Sequence, residues 1–126
     1  MKILLDTHIL LWWMAGDRRL PRPARLAIVD PANRIFVSIA SLWETAVKFS
    51  LKRVVADPEA LRDAAERDGF SLLAIEARHC SAVARLPRRH HDPFDRLRVA
   101  LALVEPMRLL THDTQLARYS DTVAVV

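Results

Sequence analysis

KILLDTHILLWWMA, residues 2–15, is the stretch whose reading decides the fold. After Lys2, Ile3 to Leu5 form an unbroken apolar run rather than an alternating one. Such a run suits a strand covered on both faces, as in a parallel sheet. Asp6 ends the run, and an apolar helical stretch follows at once from residue 7 to residue 15, closed by Gly16 and Asp17. A strand feeding directly into a helix opens a strand–helix unit. The acidic residue at the join then lies at the carboxyl end of the strand, where open α/β sheets bind their ligands.

The same alternation continues outward. Residues 21–29 read as a helix with prolines in its first turn, where a missing N–H costs nothing. RIFV, residues 34–37, is a second strand. Ser38 or Ser41 opens an amphipathic helix with Ile39, Leu42, Trp43, Ala46, Val47 and Ser50 on one side. Asp57-Pro58 starts the next helix, with Asp at the cap and Pro at the first position, and Gly69 ends it. Residues 70–75 are a third strand, residues 76–86 a helix and residues 87–91 a basic loop. Asp92-Pro93 repeats the start signal for a helix over 94–104, which Pro106 closes. Residues 107–110 form a fourth strand, a short helix runs to about Tyr119, and 123–126 is a terminal strand. This order predicts a single α/β domain over residues 1–126. Its central, mostly parallel sheet of four to five strands is flanked by helices in three layers.

Composition agrees with one folded domain: 126 residues, 52% of them hydrophobic and 27% charged. Two glycines build no glycine-rich phosphate loop, no nucleophile elbow and no dinucleotide fingerprint. The net charge of +4 and the pI near 10.0 favour a polyanionic partner, although arginine-rich composition also follows genomic base composition. The one cysteine, Cys80, excludes an internal disulfide and a cysteine zinc site, and its helical pattern places it in the core. No signal peptide is visible, the apolar run over 9–15 falls well short of the roughly 20 residues that span a bilayer, and the expected compartment is the cytoplasm.

Four carboxylates stand near strand ends. Asp6 follows the first strand, Glu44 lies in the helix after the second, Asp95 in the first turn of a helix, and Asp113 just past the fourth strand. Carboxylates gathered on one sheet edge repel unless a cation sits among them. Oxygen-only ligands suit Mg²⁺ or Mn²⁺ rather than zinc or copper, and such ions activate water and stabilise a phosphodiester in transfer. Each also has a structural reading. Asp6 and Asp113 suit helix caps, and Asp92 is a natural N-cap. Glu44 completes a Ser41-x-x-Glu44 capping box and stands four residues before Lys48, and Asp95 sits where a helix dipole favours an acid. Their joint order and spacing carry the signal.

With their flanking residues these positions resemble the PIN-domain family, in particular the virulence-associated C type of toxin from type II toxin–antitoxin pairs. LLDTHILLWW is similar to that group's first motif, ASLWETAVK to the second, HHDPFDRLRVALA to the third and LLTHDTQLARY to the fourth. The resemblance runs the length of the chain. It implies a PIN-like three-layer fold with Asp6, Glu44, Asp95 and Asp113 as catalytic and metal ligands for Mg²⁺ or Mn²⁺. Thr7 and Thr111 are implied as supporting hydroxyls. It implies an endoribonuclease acting on tRNA or ribosomal RNA, a cognate antitoxin, and a homodimer. Arg98 stands where the family usually has an apolar residue, and Leu101 where glutamine is common. The sequence leaves open whether Arg98 meets a packed helix face or points into the substrate groove. The alternatives to a toxin nuclease are a catalytically weak nucleic-acid-binding module and another metal-dependent phosphoryl-transfer enzyme, although Asp6-Thr-His lacks the second aspartate of a haloacid-dehalogenase-like phosphatase.

Among the basic residues, Arg88, Arg89, His91 and Arg96 are candidates for phosphate contact, beside Arg85 and His90. His8 and His112 flank acidic positions and read either as rim residues or as exposed helix starts. Trp12, Trp13 and Trp43 lie on apolar helical faces and read as packing residues.

Overall fold

The computed structural model describes residues 1–88 and 92–126; Arg89, His90 and His91 of the expected basic loop lie outside the described residues. The elements run β1 (Lys2–Leu5), α1 (Thr7–Ala15), α2 (Arg22–Val29), β2 (Arg34–Ser38), α3 (Ile39–Ser50), α4 (Pro58–Arg67) and β3 (Ser71–Leu73). They continue with α5 (Ala77–Val83), α6 (Pro93–Val104), β4 (Arg108–Thr111), a 3₁₀ turn (Thr114–Arg118) and β5 (Val123–Val125). The strands pair in the order β3-β2-β1-β4-β5, every pair parallel. This is the α/β architecture that the alternation of strands and helices predicts.

Strand pleating explains the layers. Successive side chains of β1 point to opposite faces. Ile3 and Leu5 join Ile35, Val37 and Leu110 in a core that packs beneath α1, α2 and α4. Leu4 joins Phe36 and Leu109 on the other face, against Val99, Leu101 and Ala102 of α6. Leu101, at the position where glutamine is common in the resembled family, is fully buried in this second core, where a polar side chain would need a partner.

The start signals act as read. Asp57 accepts from Glu59 N at 2.9 Å, and Asp92 accepts from Phe94 N at 2.8 Å, each ahead of a proline in the first turn. α1 stops at Gly16, whose φ of +60° is the left-handed conformation that lets its N–H turn back to the carbonyls of Trp12 and Trp13. No described helix is long and apolar enough to cross a membrane.

One core expectation is corrected. Cys80 is exposed, and its neighbour His79 is the residue of α5 that is buried. The helix is rotated because a polar clasp fixes it. His79 Nδ1 accepts from Glu76 N at 2.9 Å, so Nε2 carries the proton and faces Glu105 Oε2 at 2.5 Å. Arg78 also donates to that carboxylate. The His79 hydrogen bond, aided by the charge of Arg78 and opposed by burial, holds the Glu105 carboxyl below its ordinary 4.5. A folded-state value below the unfolded one stabilises above the unfolded value, and that stabilisation is lost as pH falls through the folded value. Urea midpoints should therefore drop as pH falls below the ordinary carboxylate value, and Glu105→Gln should flatten part of that slope. An identical slope in the variant would rule the clasp out as its source.

Candidate metal centre

β1 and β4 lie side by side, but the chain leaves β1 towards β2 and leaves β4 towards β5. Connections that diverge in this way open a crevice at the carboxyl ends of the two strands. Asp6 stands at one lip and Asp113 at the other. Thr111, the last residue of β4 and fully buried, joins them: its hydroxyl donates to Asp6 Oδ2 at 2.5 Å and accepts from Asp113 N at 3.0 Å. Both aspartates are also caps. Asp6 Oδ1 accepts from Thr7 N at 2.7 Å at the start of α1, and Asp113 Oδ1 accepts from Gln115 N at 2.9 Å at the 3₁₀ turn. Capping and gathering at the crevice are thus one geometry, not alternatives.

Glu44 reaches the same edge from α3. The N-cap of that helix is Ser38, which accepts from Ala40 N at 2.9 Å. Ser41 consequently lies inside the helix, and the expected Ser41-x-x-Glu44 capping box does not form. Glu44 is instead buried, with both oxygens engaged. Oε1 accepts from Thr7 Oγ1 at 2.9 Å and from Arg98 Nη1 at 2.7 Å, and Oε2 accepts from Lys48 Nζ at 2.7 Å. Burial pushes the Glu44 carboxyl up, but the charge of Arg98 and the hydrogen bonds from Lys48, Arg98 and Thr7 outweigh it and leave it below its ordinary value. Thr7 supports Asp6 through its backbone N–H, while its hydroxyl serves Glu44. Asp95 completes the set from the first turn of α6.

Arg98 meets neither a packed apolar face nor an open groove. It is 1% exposed, and its guanidinium is turned into the acidic edge. Nη1 donates to Thr7 and Glu44, while Nη2 donates to Asp95 and lies 3.0 Å from Asp6 Oδ1. Burial lowers its pKa, but Asp6, Glu44 and Asp95 together reverse that and raise it above its ordinary value. Its Nε–H has no hydrogen-bond partner among the described residues. A buried unpaired donor costs about 1–3 kcal/mol, so the three carboxylates, not full satisfaction of the guanidinium, dictate where it sits. The sequence signal was present in part: Arg98 is three residues after Asp95, on the face of α6 that is otherwise apolar.

The remaining candidates divide. Arg96 donates to the carbonyls of Val83 and Pro87 at 3.1 and 2.8 Å and to Tyr119 Oη at 3.2 Å. That fastens the end of α5 to α6 and gives its guanidinium a structural role beside the expected phosphate contact. Arg88 is exposed, and Arg89 and His91 lie outside the described residues. Trp12 and Trp13 pack against the first core, as expected, whereas Trp43 is 57% exposed and stacks edge-on to Phe94 at 4.9 Å.

A cleft of about 320 Å³ opens at the acidic edge, lined by Asp6, His8, Trp12, His112 and Asp113. His8 and His112 both rest against Trp12, at 5.8 and 5.5 Å between ring centres. A larger groove of about 480 Å³ between α1 and α4 is mainly apolar, and its one carboxylate, Asp57, caps α4. The acidic edge, with the smaller cleft beside it, is the candidate site. Its donor set fits a hard divalent cation, because Asp6, Asp95 and Asp113 offer oxygen only. Glu44 fits less well, having both oxygens committed to cations and a hydroxyl. Among the described residues, the one group of three whose ligand atoms all lie within 4.8 Å of one another is Glu76, His79 and Glu105, which forms the clasp between α5 and α6; the carboxylates of the acidic edge stand further apart.

Comparison with known proteins gives a consistent picture. The family profile of the PIN domain matches residues 3–121. The chain is 32% identical over 118 residues to Ribonuclease VapC22 of Mycobacterium tuberculosis, a match covering 90% of this chain and 88% of that protein. The structure of VapBC2 from Rickettsia felis, bound to a DNA fragment from its promoter, superposes with a TM-score of 0.72 at 15% identity over 100% of this chain and 98% of that one. A toxin–antitoxin complex from Klebsiella pneumoniae superposes with a TM-score of 0.66 at 21% identity over 98% and 96% of the two chains.

Proposed function

We propose, from the premise that the chain belongs to the PIN domain family, that it is a divalent-metal-dependent endoribonuclease and the toxin of a type II toxin–antitoxin pair. The observation that carries the reading is the link from the Asp6 carboxylate through the Thr111 hydroxyl to the backbone N–H of Asp113 across the crevice between β1 and β4, with Glu44 and Asp95 gathered on the same edge around Arg98. Asp6, Asp95 and Asp113 would hold Mg²⁺ or Mn²⁺, with Glu44 behind them. Bound there, the ion supplies Lewis-acid stabilisation of a phosphodiester and a water of lowered pKa. The residues of the chain do the positioning. Thr111 and Thr7 N–H fix the two oxygens of Asp6, and the surrounding +4 charge draws a polyanion towards an otherwise acidic edge.

The substrate class is RNA, with structured tRNA or ribosomal RNA expected. Residues 1–126 act as one domain, a homodimer is the expected state, and the partner is an antitoxin, which the likeness to a toxin–antitoxin complex supports. Purified protein incubated with cellular RNA and Mn²⁺ or Mg²⁺ should leave 5′-phosphate and 3′-hydroxyl ends, the products of direct water attack. Cleavage that persists in EDTA, or 2′,3′-cyclic ends, would overturn the reading. RNA binding without cleavage would select the catalytically weak module instead.

Thr111 offers a graded test. Thr111→Val keeps the shape but removes the hydroxyl between Asp6 and Asp113. Loss of such an outer support lowers metal affinity or activity by about 10–100-fold. Thr111→Ser should restore most of it, and an unaltered rate in the valine variant would show that the hydroxyl positions nothing.

A further inference from the structure

We infer that Arg98 is a resident cation of the acidic site, standing in for one of the two divalent ions that four carboxylates could hold, so that the site takes a single ion. The inference rests on the metal-dependent reading above and goes beyond it. Four formal negative charges, on Asp6, Glu44, Asp95 and Asp113, stand with two positive charges, on Arg98 and Lys48, that are already in contact with the first three of them. The remaining charge of two is that of one divalent ion.

Geometry agrees with the charge. The guanidinium of Arg98 takes one oxygen from each of Asp6, Glu44 and Asp95, and Lys48 takes the other oxygen of Glu44. Glu44 therefore holds the arginine. Arg98 comes from within α6 and is 1% exposed, with its stem on the face that also buries Val99 and Leu101, so it does not sample solvent as a surface arginine does. An arginine keeps its proton at any pH at which the protein folds. The unpaired Nε–H shows that the carboxylates hold the group there at the expense of one of its own hydrogen bonds. The place left for an ion lies towards the cleft, on the side of Asp6 and Asp113.

The test is the number of Mn²⁺ ions bound per chain, read by electron paramagnetic resonance of free Mn²⁺ during titration at fixed ionic strength. The wild type should bind one. Arg98→Met, apolar like the usual family residue, should bind two, the first about tenfold or more tighter because one positive charge has left the site. Arg98→Lys should stay at one. Two ions on the wild type, or one on a folded Arg98→Met protein, overturns the inference and leaves the nuclease reading intact. If Arg98→Met does not fold, the wild-type stoichiometry alone decides. No Mn²⁺ on either protein overturns the metal-dependent reading and the inference with it.

Discussion

Asp6→Asn should abolish RNA cleavage while leaving the protein folded. The expected loss is about three powers of ten or more, the equivalent of about 4 kcal/mol of transition-state stabilisation, which is the scale a bound metal supplies. Asp6 stands where the two central strands release the chain in opposite directions. One of its oxygens is fixed by Thr7 N–H and the other by the Thr111 hydroxyl. Asparagine keeps the shape and keeps a carbonyl to cap α1. Its amide nitrogen faces a Thr111 hydroxyl that already accepts from Asp113 N, a mismatch of about 1 kcal/mol at most after the hydroxyl turns. Arg98 loses the charge of Asp6 but keeps those of Glu44 and Asp95, so the urea midpoint should fall while the protein stays folded, and the charge that draws a cation is gone. Initial rates on cellular RNA with Mn²⁺, set beside urea midpoints of the two proteins, test this. A variant within tenfold of the wild-type rate would remove Asp6 from the reaction.

Much of this site was legible because its signals are local. KILL followed by Asp6, and RLLT followed by His112 and Asp113, each join a buried strand to a capped turn. Sequence distance alone places both aspartates at one end of a parallel sheet. What escaped depends on how helices meet. Whether position 98 of α6 faces hydrocarbon or carboxylate is set by contacts with Thr7 and Glu44, which lie 91 and 54 residues away. The helical period around Cys80 was read one residue out of phase because Glu105, the partner of the buried His79, stands at the end of another helix. The capping box failed for a simpler reason: two serines competed for the start of α3, and the one three residues earlier won. The internal bonds of Arg96 were not legible either: carbonyls at the end of a helix lack intrahelical donors, and which guanidinium meets them depends on how α5 and α6 pack.

Glu44→Ala should cost the fold more than any other single change at this edge, about 3–5 kcal/mol, because removing one member of a buried ion pair strands the other. Glu44 alone faces Arg98, Lys48 and the Thr7 hydroxyl, so its loss leaves a fully buried guanidinium with Asp6 and Asp95 and turns the Lys48 ammonium out to solvent. Lys48 is the smaller part, since a partly exposed i,i+4 pair contributes at most about 0.5 kcal/mol. The interaction with Arg98 carries the rest, and a double-mutant cycle isolates it. Its corners are Glu44→Leu alone, which strands Arg98; Arg98→Met alone, which leaves Glu44 with Lys48 as its one counter-charge; and the two together, which replace both halves with hydrocarbon of similar bulk. The double variant should be less destabilised than the two single changes added together, by up to about 3 kcal/mol. Urea midpoints measured in EDTA keep metal binding out of the comparison. Additive effects would mean that Glu44 and Arg98 stabilise the fold independently, and Glu44 would then be an ion ligand first and the holder of the arginine only by proximity.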